Sequence, residues 1–518
     1  MRARSIFICF TFGILVIVGL VSLPPASAQM PATQSQGTQP IELPLSGRTS
    51  QTGSVKATET PVPGTTTSVN TINATVETQG PYSGSTKGFA NQPFSGKLSL
   101  REAIERGLVY NLGAVGLAQA ANQAHGQVNV SRSALLPNLV GDLAETVQQT
   151  NLRALGVRFS APIPGFSIPT IVGPFNYIDL RARLSQSIID LTAWNNYKSA
   201  RENLRAAQLS SRDARDLVVL AVGGVYLQVI AARARVQSAR AQLETANALY
   251  DQATQQRKAG ILAQVDADRS QVQALTQQQR LFSLENDLAK QKIDLARMTG
   301  LPPNDQYEIT DDIPYSSTPV GTLNEILQQA LDSRSDVKAA EAQVRSGERA
   351  VAAARAERLP SLSLNGDYGV IGTNPSQSHG TFSVTGTLRF SIWEGGRIEG
   401  KIEQARAALT QRQAELEDLK LQVESEVRKA FLDMQAAANQ VTVAQKNREV
   451  AKETLELTRQ KVEAGVSESV ELVQSQESVA TAELDYINSV FASNLARLTL
   501  ARSTGRAVEV LPKFLNLQ

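Results

Sequence analysis

The stretch SLSLNGDYGVIGTNPSQSHGTFSVTGTLRF (residues 361–390) decides the fold class. Leu362, Leu364, Gly366, Tyr368 and Val370 fall on one face of an extended chain, and Ser361, Ser363, Asn365 and Asp367 on the other. After a short loop holding Asn374, Pro375 and His379, the pattern returns, with Phe382, Val384, Gly386, Leu388 and Phe390 alternating against Ser383, Thr385, Thr387, Arg389 and Ser391. Period two sustained over about ten residues is what a transmembrane β-strand needs to cross the hydrocarbon at a tilt. The stretch therefore predicts a membrane-spanning hairpin over 361–391.

Upstream, Ile178, Leu180, Ala182 and Leu184 alternate with Asp179, Arg181 and Arg183, the return strand of a second hairpin over 138–185. Its outgoing strand near Leu139 to Val147 is less regular, and a Pro-rich loop runs to about Pro174. The charged residues of both hairpins, Asp179, Arg181, Arg183, Asp367 and Arg389, share the polar faces and suit a water-filled lumen.

The two hairpins belong to a duplication. Displaced by 205 residues, VYLQVIAA (225–232) falls on AFLDMQAA (430–437), KAGI (258–261) on EAGV (463–466), and LARMTG (295–300) on LARSTG (500–505). At a displacement of 223, Leu100, Glu102, Leu108, Val128, Arg132, Leu136, Pro137 and Leu139 fall on Leu323, Glu325, Leu331, Val351, Arg355, Leu359, Pro360 and Leu362. A period of this size is a doubled half-protein rather than a solenoid unit. The repeats are placed at 97–303 and 304–518.

Each repeat reads the same way. A helix of about 35 residues ends at Leu136-Pro137 or Leu359-Pro360, because proline cannot continue it. A strand pair follows, then a helix long enough to reach Ala259 or Ala464, with Leu416, Leu419, Val423, Val427, Phe431 and Met434 at helical spacing in the second repeat. From Trp194 to Ala259 that helix would measure on the order of 100 Å. Gly260 and Gly465 stop the two long helices, and a returning helix closes each repeat at Gly300 or Gly505.

The N-terminus carries an export signal over 1–28: basic Arg2 and Arg4, an apolar run from Ile6 to Leu23, and Ala26-Ser27-Ala28 as the cleavage triplet. The single cysteine, Cys9, lies inside that run, so the mature chain has no disulfide. Residues 29–96, rich in Ser, Thr, Gly and Pro, are expected to be disordered. Charges of 51 basic against 49 acidic residues, without a basic block, argue against nucleic-acid binding. His125 and His379 are too few for a metal site, only four methionines occur, and no nucleophile, phosphate loop or acid pair of catalytic type emerges. Neither a cofactor nor an enzymatic activity is expected.

Four strands cannot close, and open edges in lipid would leave backbone groups unpaired. The smallest membrane barrels have about eight strands, so the sequence demands either an oligomer or a different reading of the strands.

The paired openings LSLREAIERGLVYN and GTLNEILQQALDSR, the LLP and RLP breaks, FSIWEGGRIEGKIEQARAAL after the second hairpin, KAGI and EAGV, and the two LAR-x-TG endings resemble the TolC-type outer membrane efflux proteins over Leu98 to Gln518. The resemblance implies a mostly α homotrimer with three β-hairpin pairs joined into one 12-stranded barrel in the outer-membrane bilayer, continued by a long periplasmic α-helical barrel. It also implies a periplasmic adaptor that meets the helix turns at Gly260 and Gly465, and an inner-membrane transporter that delivers substrate.

Carried across, the first of two entrance acids falls on Glu471, with Glu468 nearby, while the second position is Gln474. Asp266 matches a position that helps latch the entrance, and the latching arginine is replaced by Ser467. Three copies of Glu471 around an axis would favour cation entry. Without the resemblance, Glu468 and Glu471 read as solvated helix carboxylates. Two other readings remain open at this point: an exported structural or adhesive coiled coil, and a channel dedicated to one-step protein secretion.

Overall fold

The computed structural model describes residues 54–62, 71–86, 94, 96–152, 154, 170–302, 307–312, 321–464, 466 and 469–509. The expected export signal, 1–28, lies outside them. Two strands, β1 (Ser54–Val62) and β2 (Thr71–Gln79), form an antiparallel hairpin. For 54–62 and 71–86 this corrects the expectation of disorder, since β2 buries Ala74 and the turn after it buries Tyr82; apart from 94 and 96, the rest of 29–96 lies outside the described residues. Strand β3 (Lys97–Leu98) leads into helix α1 (Leu100–Tyr110), capped by the Ser99 hydroxyl, and α2 (Leu112–Ser133).

The single helix expected before each Leu-Pro is thus two helices. Asn111 breaks the first: its backbone is extended, its side-chain oxygen accepts from Gly113 N at 2.9 Å, and its amide donates to Tyr82 O at 2.7 Å. An Asn that satisfies both the next helix start and a crossing segment replaces the helical hydrogen bonds it gives up.

Strands β4 (Asn138–Asn151) and β5 (Ile171–Ile189) follow, then α3 (Leu191–Lys258), which Asp190 caps through Ala193 N at 2.8 Å. After the turn, α4 (Gln264–Thr299) returns. The short β6 (Glu308–Ile309) pairs in parallel with β3 and joins the linker to the start of the first repeat.

The second repeat has α5 (Leu323–Ser333), α6 (Ser335–Ala356), β7 (Ser361–Gly372), β8 (His379–Arg389), α7 (Arg397–Glu463) and α8 (Ser469–Ser503). Asn111 and Arg334, the two break points, stand 223 residues apart, the repeat displacement itself. His379, expected in the loop, opens β8 opposite Ile371.

One stretch of α3 is long and apolar enough to cross a membrane, yet 78% of it is buried within the protein. Val218, Val219, Val222, Tyr226, Val229 and Ile230 are the centre of the main core, packed by α1, α8 and the β1–β2 hairpin. Gly223 and Gly224 make that packing possible: a Cβ on Gly224 would lie 2.6 Å from the Val76 side chain, and one on Gly223 3.1 Å from Leu498. Glycine here lets a strand and a helix approach the same turn of α3.

The echoing LAR-x-TG endings have a packing reason as well. Gly300 and Gly505 take φ of 75° and 72°, the left-handed conformation that ends a helix. Each also sits against the break in its own repeat, where a Cβ would lie 2.8 Å from Tyr110 or 2.7 Å from Arg334 Cα. At that break Arg334, with 4% of its side chain exposed, holds Asp336 at 2.6 Å and Glu426 at 2.8 Å.

Candidate functional site

Strands β4, β5, β7 and β8 form one antiparallel sheet in that order. The register decides which side chains share a face. Opposite one another run Asp142 and Arg181, Arg183 and Asp367, and Asp367 and Ser383, so these charged and polar residues, drawn from all four strands, lie on one side. Leu139, Leu184, Gly366 and Val384 form a row on the other side, followed by Leu143, Leu180, Val370 and Gly380. The apolar side is bare: Leu139 and Leu143 are each 73% exposed and Phe382 78%. β4 and β8 each lack a neighbour on their outer edge among the described residues.

On the polar side three of the five predicted lumen residues form one network. Arg181 holds Asp179 at 3.0 Å and Asp367 at 2.8 Å, and Asp367 also accepts from the Ser383 hydroxyl. Arg183 pairs instead with Asp142 at 3.3 Å. Arg389 lies on the same face but at the helix end of β8, opposite Ser361 and apart from the network. Asp142 was not singled out by sequence reasoning, because Val140 and Ala144 flank it on the polar face and Glu145 lies on the apolar one, which blurs the alternation of β4.

The far end of the helices carries the second set of predicted residues. Gly260 has φ of 74°, and the amides of Gly260 and Ile261 reach back to Arg257 O and Gln256 O, both at 2.9 Å, closing the turn between α3 and α4. The corresponding Gly465, with Glu468 and Ser467, lies outside the described residues. Ile261 and Val466, each next to a turn glycine in sequence, are 77% and 78% exposed. Sequence reasoning passed over these two apolar tips although KAGI and EAGV contain them.

Asp266 stands in the first turn of α4 and pairs with Arg269 at 3.2 Å. Both line a groove of about 680 Å³ between the two helical hairpins, with Arg459, Gln273, Leu472 and Gln476. Glu471 is exposed in the first turn of α8 and does not line this groove; its neighbour Leu472 does. Asp266 and Glu471 thus do not line this groove together. No group of three or more His, Cys, Asp or Glu side chains able to hold a metal occurs among the described residues.

A sheet with one charged and one bare apolar face, continued by two helical hairpins whose long helices have 68 and 67 residues, fits a water-filled passage through a membrane. The family profile described as "Outer membrane efflux protein" matches residues 117–301 and 326–506. The chain is 24% identical over 318 residues to the pyoverdine export outer membrane protein OpmQ of Pseudomonas putida, an alignment covering 58% of this chain and 65% of OpmQ. The chain thus spans just under two thirds of that relative.

Among solved structures, a membrane protein from Pseudomonas aeruginosa superposes with a TM-score of 0.69 at 19% identity, over 78% of this chain and 90% of that one. VceC, an outer membrane protein of Vibrio cholerae, superposes with a TM-score of 0.66 at 17% identity, over 78% and 96%. At these identities the likeness concerns the fold.

Proposed function

Because the chain belongs to the outer membrane efflux protein family, we propose that it is the outer-membrane exit duct of a tripartite efflux system, a passive channel and not an enzyme. The observation that carries this reading is the four-stranded sheet with opposite faces and two open edges. In lipid the edges must be paired, and three copies joined β8 to β4 give a closed barrel of 12 strands around a lumen lined by Asp179, Arg181, Arg183, Asp367 and Arg389. The apolar side then meets the outer-membrane bilayer.

The helices continue the duct. At about 1.5 Å per residue, α3 is on the order of 100 Å long, enough to carry the passage far into the periplasm. The turns at Gly260 and Gly465 are its distal tips, where the bare Ile261 and Val466 offer apolar contacts to a periplasmic adaptor coupled to an inner-membrane transporter. Glu471, Glu468 and Asp266 line the entrance, and a ring of three Glu471 carboxylates favours cations there.

Protein purified from outer membranes with detergent and added to planar bilayers should give stepwise conductance. Recovery in the soluble periplasm without detergent, with no conductance, would sink the channel and favour a structural coiled coil.

A further inference from the structure

The chain has two tryptophans, and each stands where the sheet gives way to a long helix, Trp194 just inside α3 and Trp393 between β8 and α7. They are 44% and 86% exposed, and Ile189, Leu191, Phe390 and Ile392 beside them are exposed too. The apolar side of the sheet thus ends in a bare aromatic and aliphatic rim, the composition that settles at a membrane–water interface.

The two rims differ in charge. At the first, Trp194, Tyr197, Lys198, Arg201 and Arg205 recur at the three- and four-residue spacings that put side chains on one helix face. The rings of Trp194 and Tyr197 lie 5.9 Å apart, Lys198 Nζ is 4.9 Å from the Trp194 ring centre, and the Arg201 guanidinium 5.9 Å from that of Tyr197. None of Lys198, Arg201 and Arg205 is paired with a carboxylate among the described residues; Glu202 pairs with Arg345 of α6 at 3.0 Å. At the second rim the cations are neutralised: Arg397 is held by Glu394 and by Glu357 at 2.8 Å, and Lys401 by Glu357 at 2.7 Å.

The direction of the first stripe follows from what covers its continuation. Further along α3, Arg212 and Asp216 line a groove closed by Gln329 and Ser333 of α5 and by Arg506 and Val508 beyond α8. Segments folded on that face would obstruct a passage, so the face is the outer one.

We propose that Trp194, Tyr197, Lys198, Arg201 and Arg205 form a binding surface for anionic phospholipid of the periplasmic leaflet. The rings sit at the boundary between acyl chains and headgroups. Lys198 and Arg201, about 6 and 10 Å further down the helix, reach a headgroup layer that is itself several Å deep. Arg205, about 16 Å down, acts on the surface potential, which extends about 10 Å at 0.1 M salt. The inference rests on placement of the sheet in the outer membrane, and the two tryptophans allow the two to be tested separately.

The full-length protein, as Trp393→Phe or as Trp194→Phe, is placed in vesicles containing brominated phosphatidylglycerol or brominated phosphatidylcholine at equal mole fraction, and the remaining tryptophan's quenching is read. With Trp194 alone, phosphatidylglycerol should quench far more strongly, and each of Lys198→Gln, Arg201→Gln and Arg205→Gln should reduce that preference, by roughly five-fold for a cation at the surface. With Trp393 alone the two lipids should quench equally. Equal quenching of Trp194 by both lipids, with Trp393 quenched, overturns the lipid site and leaves the membrane placement intact. Absence of quenching at both positions overturns both. Circular dichroism of each variant shows that the fold is kept.

Discussion

Arg181 is the hinge of the polar network, so Arg181→Gln gives the sharpest prediction. Per chain, two arginines (181 and 183) face three aspartates (142, 179 and 367), one net negative charge; the variant leaves two. Across three copies the band goes from three negative charges to six. In water, three added charges acting at a distance on the order of 10 Å have a potential energy of about 1.2 kcal/mol for a passing monovalent ion, which one Debye length of screening at 0.1 M salt reduces to about 0.5 kcal/mol.

Favouring cations and disfavouring anions by that amount, the substitution should raise the cation-to-anion permeability ratio roughly four- to five-fold at 0.1 M, and almost not at all at 1 M, where the screening length is about 3 Å. The assay is the reversal potential across a planar bilayer under a KCl gradient. Arg181→Lys should keep the wild-type value. An unchanged ratio at 0.1 M, or a shift toward anions, would refute the placement of this network in the lumen.

Other consequences can be checked in the same preparations. Gly505→Ala adds a Cβ 2.7 Å from Arg334 Cα at a φ of 72°, so it should lower stability by about 2–4 kcal/mol, from left-handed strain and overpacking together, read as a drop in Tm. The Asp213 carboxyl is pushed up to about 6 by burial, against the pull of Arg502 at 2.6 Å. Its folded value exceeds the ordinary one, so its contribution is full below about pH 4 and is lost as pH rises to about 6; Asp213→Asn should remove that part of the fall in Tm between about pH 4 and 6, and an unaltered slope would contradict the assignment. Ile261→Asp with Val466→Asp should weaken binding of the cognate adaptor at least about ten-fold, the loss of two buried apolar contacts, while conductance is unchanged.

Much of this architecture was legible in the sequence because the duplication checks itself. The long helices end at Lys258 and Glu463, 205 residues apart, and the helices before the strands end at Ser133 and Ala356, 223 apart. Both displacements came from matched residues alone. The breaks at Asn111 and Arg334 were not legible: neither carries a proline or glycine, and each is made by a side chain that bonds to a distant segment. The β1–β2 hairpin was hidden by its polar composition, SVKATETPV and TINATVETQ; it packs on α8 and α3, with Val76 entering the space over Gly224.

In the candidate site, residue types announced the polar face, but the pairing of Arg181 with Asp367 rather than Asp142 depends on side-chain reach across β5 and β7. The bare Ile261 and Val466 read as ordinary turn residues until their exposure was seen.

The central claim is that the open edges of the sheet, β4 and β8, are closed by neighbouring copies. With Cys9 inside the expected export signal, cysteines can be placed at will in the remainder: one at Val384 of β8, and one at successive positions of β4 from Leu139 to Val147. In outer membranes under mild oxidation, the account predicts that a narrow set of pairs gives a covalently linked trimer on a denaturing gel. Only monomers at every pair, or links in no fixed register, would contradict it.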